Sequence, residues 1–315
     1  MHHPARSAQE CACEGDCALD AGGTLVGSTA RERDGQTGVA PDLREPERED
    51  VEQRGAPRPI VVYETIRREG EEELRRTWSA LAWSGLAAGL SMGFSLVAMG
   101  LIRARLPDAP WRPLVVNLGY SIGFLIVILG RQQLFTENTL TPILPLLNKP
   151  SGAALWRVAR LWGVVLTTNL FGALIFAWVI GHTAVFQPEI REAFAAIGRA
   201  ALEGGFWTVL LRAIFAGWLI ALMVWLLPGA ETARPMVIII LTFLVGLGGF
   251  AHIIAGSVEI FYLLTTGAAS WGHGIGGWLV PTLMGNIVGG LSLVAALNHA
   301  QVTSGGGEES VTNRR

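Results

Sequence analysis

Six runs of apolar residues, each long enough to cross about 30 Å of hydrocarbon as a helix, constrain this chain more than any other feature. They lie at Trp78–Ile102, Pro113–Gly130 continued by Asn138–Leu147, Leu155–Ile180, Phe206–Leu227, Pro235–Ala255 continued by Ser257–Thr266, and Ile275–His299. A soluble domain of 315 residues has no need of such runs. The expected fold is an all-α membrane protein with six transmembrane helices, its lipid-facing surface solvated by the bilayer. Charge follows the same division. Met1–Arg76 holds 17 acidic and 11 basic residues, and the remainder is mildly basic. Lys and Arg near the span ends favour one side ten to five, which predicts a multi-pass protein of the inner (cytoplasmic) membrane with both termini cytoplasmic. Nothing in this balance points to nucleic acid.

The sequence divides into four parts. Residues 1–60 are polar, Pro- and Gly-containing and poor in apolar side chains, and are expected to be a disordered acidic cytoplasmic tail. There is no basic-then-apolar leader in it. Cys11, Cys13 and Cys17 cluster there with no His or second Cys pair nearby, so they read as incidental, neither a metal site nor a structural disulfide. Residues 61–77 contain YETIRREGEEELRR, in which Glu and Arg at helical spacing predict an amphipathic cytoplasmic helix. Residues 78–300 form the six-span domain, and 301–315 a second cytoplasmic tail.

Spans two and five are interrupted, by GRQQLFTENTLTPIL at Gly130–Leu144 and by GLGGFAHIIAGSVE at Gly246–Glu259. Backbone that leaves a helix inside a bilayer exposes N–H and C=O groups that lipid cannot satisfy, so such breaks line a cavity or are buried in protein. Two breaks, each in the second span of a three-span half, predict an inverted repeat with a solute path where the breaks meet. Gly130, Gly248, Gly249 and Gly256 are the expected helix-break glycines. Arg131, Glu137, His252 and Glu259 are ionisable residues at this depth, expensive unless paired or hydrated, and are expected at the path. Asn138 belongs to the same polar patch. His252 is expected either to carry a proton or to stay neutral and donate one hydrogen bond. Trp78, Trp111, Trp156, Trp207 and Trp278 read as interfacial anchors. Asn169 and Asn286, at comparable places in spans three and six, are expected to hydrogen-bond between helices.

At these residues the chain resembles the formate/nitrite transporter family. LFTENT (Leu134–Thr139) is similar to the family's Leu–aromatic–Thr loop in the second helix, and AHIIA (Ala251–Ala255) to its His-x-x-Ala segment in the fifth. NLFGAL (Asn169–Leu174) and GNIVGG (Gly285–Gly290) resemble its Asn-x-x-Gly patterns in helices three and six. The match runs in order over about Trp78–Ala300. It implies an aquaporin-like protomer with its own pore, assembled as a homopentamer, which passes small monovalent anions or their acids by proton-linked movement and needs no cofactor. It also implies that His252 and Thr136 sit at the pore centre, with Leu134 and Phe135 at a constriction. The chain departs from the family pattern in Arg131, Gln132 and Gln133 after Gly130, in Gly217 and Gly256 where Asn is usual, and in Glu259. These substitutions suggest a pore built around charge pairs.

Two other readings fit the residues. The same fold with Glu137 and Glu259 near the path suits a neutral or cationic solute, and a closed pore with a working acidic tail suits a scaffold or sensor. An enzyme is not expected, because no Ser/His or Asp/Asp pair is visible and His252 with Glu259 makes an incomplete metal site.

Overall fold

The computed structural model describes residues 57–305, with side chains described over 57–293. Cys11, Cys13, Cys17 and both terminal tails lie outside the described residues. Within them every regular element is helical: α1 (Pro59–Arg75), α2 (Trp78–Arg103), α3 (Arg112–Leu129, tightened to a 3-10 turn at Asn117–Tyr120), α4 (Ile143–Asn148), α5 (Gly152–His182), α6 (Pro188–Leu202), α7 (Phe206–Leu226), α8 (Arg234–Leu247), α9 (Ala255–Thr265) and α10 (Val280–Gly305), which a π-helical turn at His273–Leu279 precedes. Five of these segments, α2, α3, α5, α7 and α10 with its π turn, are long and apolar enough to cross a membrane. The remaining span is divided between α8 and α9, and α3 is followed by the first break and the short α4. Six crossings with the second and fifth interrupted are the result. Three crossings per half are an odd number, so the second half must run opposite to the first.

Local sequence explains the helix starts. Thr77 caps α2 by accepting from the Ala80 N–H, and Ser151 caps α5 by accepting from the Ala154 N–H at 3.1 Å. α1 and α6 both begin at a proline, where a missing N–H costs nothing. On α1 the buried face is Val62, Ile66, Gly70 and Leu74, spaced one turn apart, while Glu64 accepts from Arg67 at 2.7 Å and Arg68 at 2.9 Å on the outer face. Those two guanidiniums hold the Glu64 carboxyl down at about 2.

The repeat is visible contact by contact. α2 and α5 pack so closely that a Cβ on Gly89 would lie 2.1 Å from the Asn169 carbonyl oxygen, and a Cβ on Gly217 of α7 would lie 2.4 Å from that of Asn286 on α10. Gly217 therefore stands at a helix crossing with no room for a side chain. The amphipathic helices obey the same rule. A Cβ on Gly70 of α1 would meet the Thr141 carbonyl oxygen at 2.0 Å, and one on Gly198 of α6 the Glu259 carbonyl oxygen at 2.8 Å. So α6, a 15-residue helix with Ile190, Phe194 and Ile197 buried, is the counterpart of α1. Each half contains an amphipathic helix, a span, a broken span and a span.

The outer surface carries exposed Trp83, Phe94, Trp207, Leu211, Phe215 and Ile240, which suits lipid or another copy of the chain. Trp78, Trp111, Trp156 and Trp207 are exposed at span ends, but Trp278 is not an anchor. It is 1% exposed, and its indole fills the space over Gly256, where a Cβ would come within 2.5 Å of the ring. Gly256 is accordingly not a break residue. It lies inside α9, and its missing side chain makes room for Trp278.

Candidate pore junction

Both breaks begin with one turn chemistry. At the end of α3 the Arg131 N–H donates to the Ile128 carbonyl at 3.1 Å and the Gln132 N–H to that of Val127 at 2.9 Å. At the end of α8 the Gly249 N–H donates to Gly246 at 3.1 Å and the Phe250 N–H to Val245 at 3.0 Å. This is the Schellman closure, which needs one left-handed residue. In the second break that residue is Gly249, at φ +60°. In the first it is Arg131, at φ +50°, and Gly130 before it keeps an ordinary φ of −77°. Gly248 likewise only ends its helix. A side chain in the left-handed region costs roughly 1–2 kcal/mol, so the first break is the strained one.

One asparagine then holds each extended segment. Asn169 on α5 accepts from the Phe135 N–H at 2.9 Å and donates to the carbonyls of Gln133 at 2.9 Å and Gly85 at 2.7 Å. Asn286 on α10 accepts from the Ile253 N–H at 2.8 Å and donates to the carbonyls of Ala251 at 2.9 Å and Ala213 at 2.8 Å. Each amide satisfies two backbone groups of the break that hydrocarbon would leave bare, and ties them to a helical carbonyl of the neighbouring span. The matched bonds align Leu134 of the first break with His252 of the second.

Where the breaks meet, Thr136 Oγ1 lies 2.8 Å from His252 Nε2. The tautomer follows from the other ring nitrogen. His252 Nδ1 accepts from the backbone N–H groups of Ile254 at 3.3 Å and Ala255 at 3.2 Å, so the ring's N–H is on Nε2 and points to the threonine oxygen. His252 thus caps the amino terminus of α9 as a neutral acceptor, and Thr136 keeps its own O–H for a third party. The ring packs edge-on against Phe124, centroids 4.9 Å apart, and both Thr136 and His252 are buried. Leu134 and Phe135 are buried beside them, Phe135 edge-on to Trp162.

A cavity opens on either side of this junction. One of about 420 Å³ lies beside α1 and is lined among others by Glu69, Glu73, Arg131, Gln132, Glu137 and Arg234. The other, about 330 Å³, lies beside α6 and is lined among others by Arg103, Tyr120, Arg212, His252, Glu259 and Trp278. Leu134, Phe135 and Thr136 line neither and form part of the wall between them. Glu73 was not among the residues expected at the path. It reaches in from α1 to accept from Thr141 Oγ1 at 2.6 Å and Gln133 Nε2 at 3.4 Å, and burial pushes its carboxyl up to about 7. Its signal in the sequence is only that it stands one turn after Gly70 on the helix that packs on the break.

The expected charge pairs do not form. Among the described residues Arg131, Glu137 and Glu259 make no ion pair. The antiparallel halves keep Arg131 from Glu259, which lines the cavity beside α6, while Arg131 and Glu137 line the cavity beside α1 together without an ion pair between them. Asn138 faces a buried network, donating to Gln133 Oε1 at 2.9 Å, while its carbonyl accepts from Trp162 Nε1 at 2.8 Å.

The chain was compared with known proteins. Residues 61–300 match the family model described as formate/nitrite transporter. Inner membrane protein YfdC of Escherichia coli (strain K12) is 46% identical over 251 residues, covering 80% of this chain and 81% of that one. The uncharacterized transporter YrhG of Bacillus subtilis (strain 168) is 29% identical, covering 65% and 80%. Among solved structures, a pentameric formate channel with formate bound matches with a TM-score of 0.61 at 23% identity, covering 75% of this chain and 99% of that one. An FNT family ion channel matches at 0.64 and 18% identity, covering 78% and 99%. The chain belongs to the formate/nitrite transporter family.

Proposed function

We propose that the protein is a channel for small monovalent anions of the formate and nitrite type, which cross the junction as their neutral acids. The observation that carries this reading is the Thr136–His252 contact, a single polar step buried among Phe124, Leu134 and Phe135 between two open cavities. Moving a bare ion from water into such a medium costs on the order of 20 kcal/mol in the idealised limit, whereas an uncharged acid costs a few. A proton on the solute removes most of that difference. Arg103 and Arg212 draw the anion into the cavity beside α6, and Arg131 and Arg234 offset the carboxyls of the cavity beside α1. Leu134 and Phe135 strip its water, and the Thr136 O–H offers the one hydrogen bond of the crossing. Arg131, Glu137 and Glu259 act in the cavities, and Asn138 positions the loop that presents Thr136.

The same reading makes the chain a homopentamer in the inner membrane with both termini cytoplasmic. It is supported by the pentameric assembly of the solved formate channel and by the apolar outer surface. Stopped-flow flux through purified protein in liposomes tests the function. Formate, nitrite, acetate, lactate, hydrosulfide and glycerol form the panel, and formate or nitrite flux that rises as pH falls is expected. A second reading, passage of a neutral or cationic solute, is favoured by the unpaired Glu137 and Glu259 in the two cavities. Glycerol flux without anion flux would establish it against the first.

A further inference from the structure

Passage as an acid requires a proton donor where the anion enters, so this inference rests on the function proposed above. His252 is not placed to be that donor. Its one N–H is committed to Thr136, and Nδ1 already accepts from two backbone amides. The cavity beside α6 is lined by five titratable side chains, Arg103 of α2, Tyr120 of α3, Arg212 of α7, His252 of the break and Glu259 of α9, while α6, α8 and the π-helical turn contribute none. Glu259 is the one carboxyl among these lining residues. It is 6% exposed, and among the described residues its carboxyl has neither a hydrogen bond nor an ion pair with Arg103 or Arg212. The Tyr120 hydroxyl, on a residue 4% exposed, is also without a partner there. A buried carboxyl that lines a cavity without a bond to the protein is poorly suited to holding the fold together and well suited to exchanging a proton with a solute.

The other half gives independent support. Gly70 abuts the Thr141 carbonyl as Gly198 abuts that of Glu259, so Thr141 and Glu259 are matched positions. At Thr141 the break has a hydroxyl in place of a carboxyl, and Glu73 arrives from α1 to accept its hydrogen bond. A carboxyl therefore stands at the same level of both cavities, supplied by different elements.

We propose that Glu259 is the proton donor and acceptor of the cavity beside α6, acting on small monocarboxylates and nitrite. With the anion held near Arg103 and Arg212, the O–H bond of the Glu259 acid breaks, and a new O–H bond forms on the solute. The solute becomes neutral and the charge passes to Glu259, which regains a proton from hydronium in the cavity water. An acid leaving in the other direction returns its proton to the Glu259 carboxylate. The test is formate flux in liposomes containing an internal pH dye, comparing wild type, Glu259→Gln and Glu259→Asp. Wild type is expected to take up about one proton per formate. Glu259→Gln should slow uptake at least tenfold and flatten its pH profile, and Glu259→Asp should recover most of both. A Glu259→Gln protein with the wild-type rate and pH profile overturns the inference. If that variant fails to assemble, Glu259→Ala takes its place with the same two readouts, and wild-type formate uptake without proton uptake overturns both this inference and passage as the neutral acid. Wild type that carries no anion overturns both.

Discussion

The two breaks use one scaffold for different ends. Each is closed by a Schellman turn, braced by one asparagine through three backbone groups and covered by an amphipathic helix that carries a glycine at the contact. What differs is the cargo of side chains. The first break carries a strained Arg131, an apolar Leu134 and the hydroxyl of Thr136. The second carries an unstrained Gly249 and, at the position matching Leu134, His252. The scaffold is doubled because lipid tolerates irregular backbone only when every polar group is satisfied. The side chains diverge because a path needs only one polar step, and the two halves divide it between a donor and an acceptor.

The largest expected effect tests whether the braces are equal. Asn169→Leu and Asn286→Leu each strand one carbonyl and one N–H of a break, at about 1–3 kcal/mol per group. Both variants should lose at least about 2 kcal/mol and fail to give a stable oligomer in detergent, as read by size-exclusion chromatography. If only one fails, the halves are not equivalent. A smaller effect concerns the turns. Gly249→Ala should lower the melting midpoint by the equivalent of about 1 kcal/mol, and Arg131→Gly should raise it by a similar amount. Opposite signs are the expected outcome, and two destabilisations would mean that Arg131 is held by something other than backbone geometry.

A further difference is a pH dependence on one side only. The Glu73 carboxyl is raised from 4.5 to about 7 in the folded protein. An acid raised on folding binds more protons folded than unfolded, so its contribution is full below about pH 4.5 and is lost as pH rises through about 7. The wild-type melting midpoint should therefore fall as pH rises through that window. The Glu73→Gln curve should be flatter between pH 5 and pH 8, and parallel curves would remove Glu73 from the account.

Much of this arrangement was legible in the residues. Apolar length marked the spans, polar interruptions marked the breaks, and Asn169 and Asn286 stood out because an amide inside an apolar span needs a partner. The resemblance around Leu134–Thr136 and Ala251–Ala255 pointed to the meeting of Thr136 and His252. Other features depend on distance in space rather than on local pattern. α6 has an apolar stripe but is too short for a span, so its kinship with α1 emerges only from the glycine contacts. Gly256 looks like a break residue until Trp278 is seen filling its place. The expected pore built around charge pairs took nearness in sequence for contact: Arg131 and Glu137 share one cavity without an ion pair between them, and Glu259 lines the other.

The central claim is that solute crosses at the Thr136–His252 contact, and the repeat itself suggests the most direct measurement. Glu and Arg side chains in the cavities can be left untouched while His252→Leu gives the second break the residue that the first has at Leu134. Formate flux through this variant in liposomes, measured with its oligomer shown intact by size-exclusion chromatography, should fall at least a hundredfold, equivalent to about 3 kcal/mol at the barrier. An assembled variant that still carries formate at the wild-type rate would contradict the account.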